Sequence, residues 1–519
     1  MTNKISMILS TLKMAVATFC SRILGLVREQ VLAYMFGASG LTDAFLIAFR
    51  IPNLLRDLFA EGAFSSAFVP KFVEENLKSK EHGRELLWAL FILLGSLTLL
   101  LSVIIFFAAD DLVRLMAPTF VETPEKFELT VLLTKIMAPF LCFVSIAALF
   151  MGSLNSLGIF FVPAMAPALF NVVVIASMLF LTGYFVSEQL NPILSLGVGV
   201  FLGGLLQALM QIPFLIKNKL YPIIPKKIFS KQAKQVFILL GPGLLGFAAT
   251  QINLIVTTVL ASSTIVGAVS WLNYAFRLFQ LPVGILSVSI GNSHLVHFSK
   301  EIKAGNQEEA LQAFKLSYFM SFLLVLPAMG GMYLFSEEIV FILFERGAFS
   351  HESTLMTALA LKFYAVGLPF YGLYKIFVPS FYAIDKQKIP VYSSIFSIIC
   401  NLIFCVLLTP HYGFKILALG TSLSISLNII IQAIVFKRYF QISWNYYFNL
   451  RIAKLIFCMA VCFVCFAWCK SFFSFYEIGF GLQLFYLFGA LGLFLLIYLL
   501  LVLALGEKAL VLKLLRKSS

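Results

Sequence analysis

The chain is 519 residues long, 61% hydrophobic and only 12% charged, with 56 phenylalanines. Apolar runs long enough to cross a bilayer recur to its C-terminal end, which excludes a soluble enzyme and predicts a polytopic membrane protein. The formal charge of +14 does not point to nucleic acid, because the basic residues fall in alternate loops and build no single basic domain.

The apolar stretches predict an all-α membrane protein of about fourteen transmembrane helices, near 8–35, 41–69, 86–108, 130–154, 160–183, 193–216, 236–262, 267–298, 314–335, 355–384, 389–409, 414–436, 452–469 and 481–505. The first two spans carry Arg22, Arg28, Arg50 and Arg56. Four arginines facing lipid would cost on the order of 10 kcal/mol or more, so they must face water or an anion. No small-residue cleavage site follows the first stretch, and Arg22 and Arg28 interrupt it, so it is expected to remain as a span rather than leave as a signal peptide.

In the second span Asp43, Arg50 and Asp57 are spaced by seven, with Glu61 four further on, which sets them on one helical stripe with Asn53 beside Arg50. Pro52 is expected to bend or break this helix just after Arg50, with Gly62 loosening it again, and Gly25 allows a similar irregularity between Arg22 and Arg28. Irregular backbone at membrane depth is tolerated only inside protein or along a water-filled cavity. A guanidinium suits bidentate binding of phosphate and stays charged at any relevant pH. Glu29, Asp43, Asp57 and Glu61 are expected to hold the guanidiniums when such a cavity is empty.

Asp110-Asp111, in the first large external loop, is similar to the metal-holding acidic pairs of membrane glycosyltransferases, but Glu337-Glu338 repeats it at an offset of 227. A pair repeated at two helix starts is better explained by capping and interfacial solvation. The eighth span carries Arg277 as its one firm charge, and His294 and His297 near its end are expected at the interface. Cys458, Cys462, Cys465 and Cys469 share one helical face in the thirteenth span and read as small apolar residues rather than a metal or redox site. No Walker-type loop occurs, so no nucleotide, metal or other cofactor is expected.

The chain also repeats itself at an offset of 230 residues. Gly37-Ala38 recurs as Gly267-Ala268, Pro52 as Pro282, Pro139 as Pro369 and Asn171 as Asn401, while Asp43 meets Asn273 and Asn155 meets Asp385. Because the offset covers six spans, the halves are parallel repeats, a transporter architecture with the substrate path between them. The expected division is a six-helix lobe at 1–220, a second at 221–440, and two extra helices with a basic tail at 441–519. The charge asymmetry between the repeats predicts a cationic cavity biased to the first lobe. Lysines and arginines crowd alternate loops (Lys71 to Arg84, Lys217 to Lys234, Lys300 and Lys303, Lys386 and Lys388, Lys437 and Arg438, and the tail), which predicts that both termini are cytoplasmic.

The run Ser21-Arg22-Ile23-Leu24-Gly25-Leu26-Val27-Arg28-Glu29, with Phe36-Gly37-Ala38, Thr42-Asp43-Ala44-Phe45 and Ile51-Pro52-Asn53-Leu54-Leu55-Arg56, resembles the N-terminal signature of the MurJ (MviN) lipid II flippases. Tyr274-Ala275-Phe276-Arg277-Leu278, Leu343-Phe344-Glu345-Arg346-Gly347-Ala348-Phe349 and Gly367-Leu368-Pro369 continue the similarity. The resemblance implies a fourteen-span member of the multidrug/oligosaccharidyl-lipid/polysaccharide exporter superfamily in a bacterial cytoplasmic membrane. Its implied cargo is lipid II, the lipid-linked peptidoglycan precursor, with membrane lipids and the cell-wall synthesis machinery as further partners. The family's functional arginines carry over as Arg22, Arg28, Arg56 and Arg277, Asp43 also matches, Arg50 stands where lysine is common, and the two extra helices are implied to form a groove for the lipid tail.

This chain departs from the family at Phe276 and Gln280, where acids are frequent around the eighth-span arginine, and in a longer Asp385-Lys386-Gln387-Lys388-Ile389-Pro390 turn. The seventh span offers Gln251, Asn253, Thr257 and Thr258 but no carboxylate, which argues against a family-type sodium site there. The expectation is alternating-access export of lipid II, aided by membrane potential or an ion gradient. The alternatives are an exporter of another polyprenyl-linked oligosaccharide or of drugs, a membrane glycosyltransferase, and a non-transporting scaffold for cell-wall assembly.

Overall fold

The structure is a computed structural model that describes residues 2–60, 63–472 and 475–507, with the side chains of these apart from 2–13, 15, 55, 57–60, 63–66 and 240–250. Glu61 and the tail residues Lys513, Arg516 and Lys517 lie outside the described residues, as does the side chain of Asp57. Regular structure is entirely helical among the described residues. That is the expected solution in hydrocarbon, where every backbone polar group must be satisfied within its own segment.

The first compact unit spans residues 1–270 together with Arg346–Ala348. It contains α1 (Thr2–Phe36), α2 (Gly40–Ala60), α3 (Ala63–Lys78), α4 (Lys80–Phe107), α5 (Ala109–Met116), α6 (Pro124–Met137), α7 (Phe140–Ser156), α8 (Phe161–Ser187), α9 (Leu194–Leu209), α10 (Ile212–Lys217) and α11 (Lys231–Ser262). The second spans Trp271–Glu345 and Phe349–Ser519. It holds most of α12 (Ala268–Pro282), then α13 (Val288–Lys303), α14 (Gln307–Leu334), α15 (Ser336–Phe344), α16 (His351–Val366), α17 (Leu368–Ala383), α18 (Lys388–Tyr412), α19 (Lys415–Phe440), α20 (Leu450–Lys470) and α21 (Phe480–Ala504).

Among the described residues ten spans are long and apolar enough to cross a bilayer, or eleven with the α16–α17 pair, which bends by 41°. The other three expected spans fall on α1, on α2 with α3, and on α11. Two of the marks repeated at the 230-residue offset have like local roles. Gly37 (φ 63°) and Gly267 (φ 93°) both supply the left-handed turn before a helix, a conformation that favours glycine. Pro139 precedes α7 and Pro369 lies in the first turn of α17, each restarting a helix within an apolar span.

At Pro52 the expected break is absent, because α2 runs through it without interruption. At Pro282 the α-helix does give way, to a π-helical turn over Val283–Ser287. A proline loses one hydrogen bond and crowds the preceding turn, and a π turn absorbs that crowding with one extra residue.

In the first unit α8 and α9 meet through small residues. A side chain at Gly199 would come within 3.1 Å of the Val174 backbone, and one at Gly203 within 2.8 Å of the Phe170 ring. Such close approach is how helices associate where lipid removes the hydrophobic drive. In the second unit the core is aromatic, with Phe314 stacked 4.3 Å from Phe436 and edge-on to Phe377 at 5.0 Å. Outward-facing apolar residues such as Phe180 and Phe485, each 78% exposed, suit acyl chains.

Candidate functional site

The first unit carries four of the five arginines singled out in the sequence. On α1, Arg22 is exposed and Arg28 half-buried, with Arg28 Nη2 2.6 Å from Glu29 Oε1. The Arg28 guanidinium also lies 5.8 Å from the Phe170 ring centroid on α8. Close by, the Asn171 amide donates to the Ser21 carbonyl at 3.3 Å and lies over Gly25. The helix thus presents Arg28 along a wall built by α8, with Glu29 as its carboxylate partner.

On α2, Arg50 donates to the Thr258 hydroxyl of α11, while that hydroxyl donates at 2.6 Å to the Leu254 carbonyl. Asn53 follows one turn later, its Oδ1 buried without a hydrogen-bond partner among the described residues. Arg56 is half-buried on the same helix. Two helices therefore carry guanidinium and amide groups, a chemistry matched to phosphate oxygens.

Asp43 sits elsewhere. It is only 2% exposed and accepts from the Gly267 N–H at 2.7 Å, the Ser270 N–H at 3.0 Å and the Ser270 hydroxyl at 2.6 Å. It thereby does from another helix what an N-cap does for the start of α12. Its cation is Lys126 of α6, at 3.7 Å, not one of the arginines.

In the second unit Arg277 is exposed on α12. His294 is not at an interface but buried, its ring nitrogens 3.2 Å from Ser317 Oγ and 2.7 Å from Ser380 Oγ; only His297 is exposed. The serines that draw it inward lie on α14 and α17 and have no counterpart in its local sequence.

The repeated acid pairs both occupy first helical turns, Asp110 and Asp111 in α5 and Glu337 and Glu338 in α15. Asp110 lies 3.3 Å from Lys135, Glu337 2.7 Å from Lys362, and Glu338 2.7 Å from Lys470. Partial burial by itself would raise the Glu337 carboxyl, but the hydrogen bond and charge of Lys362 hold it below the ordinary range. Lysine partners and helix dipoles account for these acids without a metal. Among the described residues no cluster of three or more His, Cys, Asp and Glu is arranged to hold one.

Sequence reasoning missed Phe170 and Thr258 as arginine neighbours. Thr258 was visible as one of the polar residues of α11, but nothing local reveals that it faces Arg50.

A family model described as lipid II flippase MurJ matches residues 32–487. A lipid II flippase MurJ of Burkholderia cenocepacia is 36% identical over 417 residues, covering 79% of this chain and 80% of its own length. A solved structure of lipid II flippase MurJ in an inward closed conformation superimposes with a TM-score of 0.78 at 28% identity, over 96% of this chain and 99% of that one. The inward-facing structure of a multidrug resistance MATE family transporter of the MOP superfamily shares the fold, with a TM-score of 0.66 at 14% identity over 81% of this chain and 94% of the other. With the family match running over most of its length and a transmembrane all-helical fold to go with it, the chain belongs to the MurJ family.

Proposed function

We propose that this protein is a lipid II flippase, a transporter rather than an enzyme, moving the lipid-linked peptidoglycan precursor from the inner to the outer leaflet of the bacterial cytoplasmic membrane. The observation that carries the reading is the set of arginines on α1 and α2 of a MurJ-family chain. Arg22, Arg28, Arg50 and Arg56, with Asn53, hold the head-group pyrophosphate while the prenyl tail stays in lipid, and Arg277 is a further cargo-binding arginine. Glu29, Asp57 and Glu61 balance the arginines when the cargo has left.

Transport proceeds by alternating access, with both termini cytoplasmic. Moving anionic charge outward across an inside-negative membrane is favourable by roughly 2.3 kcal/mol per charge per 100 mV, so the potential contributes to the drive.

The test is transport of labelled lipid II by the protein reconstituted in vesicles. Arg28→Ala is expected to cut the rate at least roughly tenfold, with Arg28→Lys intermediate because it keeps the charge and loses the bidentate fork. Full transport by the alanine variant would remove Arg28 from the site. Equal transport of a prenyl-linked glycan unrelated to peptidoglycan would replace lipid II with a broader cargo class.

A further inference from the structure

The connection between α10 and α11 has no part in the arginine site, yet it is built unlike an ordinary loop. It reads Tyr221-Pro222-Ile223-Ile224-Pro225-Lys226-Lys227-Ile228-Phe229, with Ile224 92% and Phe229 87% exposed. Large apolar side chains left in water each forgo roughly 1.5–3 kcal/mol of burial, so this segment needs an apolar neighbour.

The depth of the loop identifies that neighbour. Along α4, Lys80, Glu81, His82, Arg84 and Glu85 precede an uncharged run from Leu86 to Phe107. That run rises about 33 Å, close to the hydrocarbon thickness, so the polar boundary falls near Leu86. The loop docks at this height. Trp88 Nε1 donates to the Leu220 carbonyl at 3.2 Å, and the Arg84 guanidinium lies 4.1 Å from the Tyr221 ring centroid.

Beside the loop is a cavity of about 610 Å3, lined by Glu75, His82, Glu85, Lys226, Lys227 and Lys231 among others. Its acids are already matched: Glu75 lies 2.7 Å from Lys78, and Glu85 3.9 Å from Lys226. Lys227 and Lys231 are exposed and have no ion-pair partner among the described residues. Uncompensated cations, a cavity of headgroup size and two protruding apolar side chains therefore meet at the height of the membrane interface.

We propose that this surface docks an anionic glycerophospholipid of the leaflet on the lysine-rich face, with Lys227 and Lys231 taking the headgroup phosphate and Ile224 and Phe229 entering the acyl layer. Charge complementarity selects the anionic class, since a zwitterionic headgroup would bring its own cation to the lysines.

The full-length protein in detergent is titrated with phosphatidylglycerol or phosphatidylcholine of identical acyl chains, and bound lipid is counted by native mass spectrometry. Phosphatidylglycerol is expected to bind preferentially, and Lys227→Gln/Lys231→Gln to weaken it roughly tenfold or more without changing phosphatidylcholine binding. Ile224→Ser/Phe229→Ser is expected to weaken both lipids, and Lys300→Gln/Lys303→Gln, the same charge change elsewhere, to alter neither. Unchanged phosphatidylglycerol affinity in Lys227→Gln/Lys231→Gln would overturn the proposal, as would an equal loss in Lys300→Gln/Lys303→Gln. Displacement of the lipid by an equimolar amount of glycerol phosphate would assign the cavity to a soluble phosphate and overturn it too.

Discussion

Asp43 shows how a charged residue within a span can be structural. With three hydrogen bonds on its carboxylate and Lys126 nearby, removal orphans several buried groups at once. Asp43→Ala is therefore expected to destabilise the first unit by about 3 kcal/mol, whereas Asp43→Asn keeps an acceptor and costs about 1 kcal/mol. Thermal unfolding in detergent measures both, and an alanine variant of unchanged stability that failed to transport would return Asp43 to a gating role. The seven-residue spacing from Asp43 to Arg50 does reveal a shared helix face, but not that this face meets α11 and the start of α12. Spacing defines a stripe; partners more than 200 residues away decide what the stripe touches. His294 carries the same lesson, since hydroxyls on two other helices bury it.

The short helices that follow long spans are tied down by ion pairs, and those ties set their response to pH and mutation. Glu337 has its carboxyl held below the ordinary value of 4.5, so its pairing with Lys362 is fully present above that pH and is lost as pH falls through the folded value. The gap in melting temperature between wild type and Glu337→Gln should stay constant from pH 7 to pH 5 and close in more acid solution; a gap that grew on acidification would reverse the sign. Lys470, at the end of α20, also reaches the buried Glu338 of α15 and the Leu334 carbonyl at 2.9 Å, joining α20 to α14 and α15 within the second unit. Lys470→Met strands a buried carboxylate and is expected to cost about 3 kcal/mol, much of it recovered in Lys470→Met/Glu338→Gln. A double variant no more stable than the single would break the pairing argument. Helix breaks are half legible: Pro139, Pro369 and Pro282 mark real discontinuities, while Pro52 does not. Proline identity is local, but whether the chain bends, inserts a π turn or simply gives up one hydrogen bond depends on the helices packed around it.

Across the molecule the apolar runs and the 230-residue repeat make the helical membrane fold readable from the order of residues alone, because hydrocarbon leaves the backbone so few alternatives. The repeated left-handed glycines at 37 and 267 carry that reading down to single turns. What no apolar run encodes is the asymmetry between the units: four arginines on α1 and α2, and an aromatic core in the second unit that the two extra helices extend. Depleting the protein in its host and measuring lipid II accessible on the outer leaflet asks directly whether those cations move the cargo. Exposure should fall as lipid II accumulates inside, and wild type but not Arg28→Ala should restore it. Normal exposure after verified depletion would contradict a flippase, and rescue by the alanine variant would contradict arginine-dependent transport.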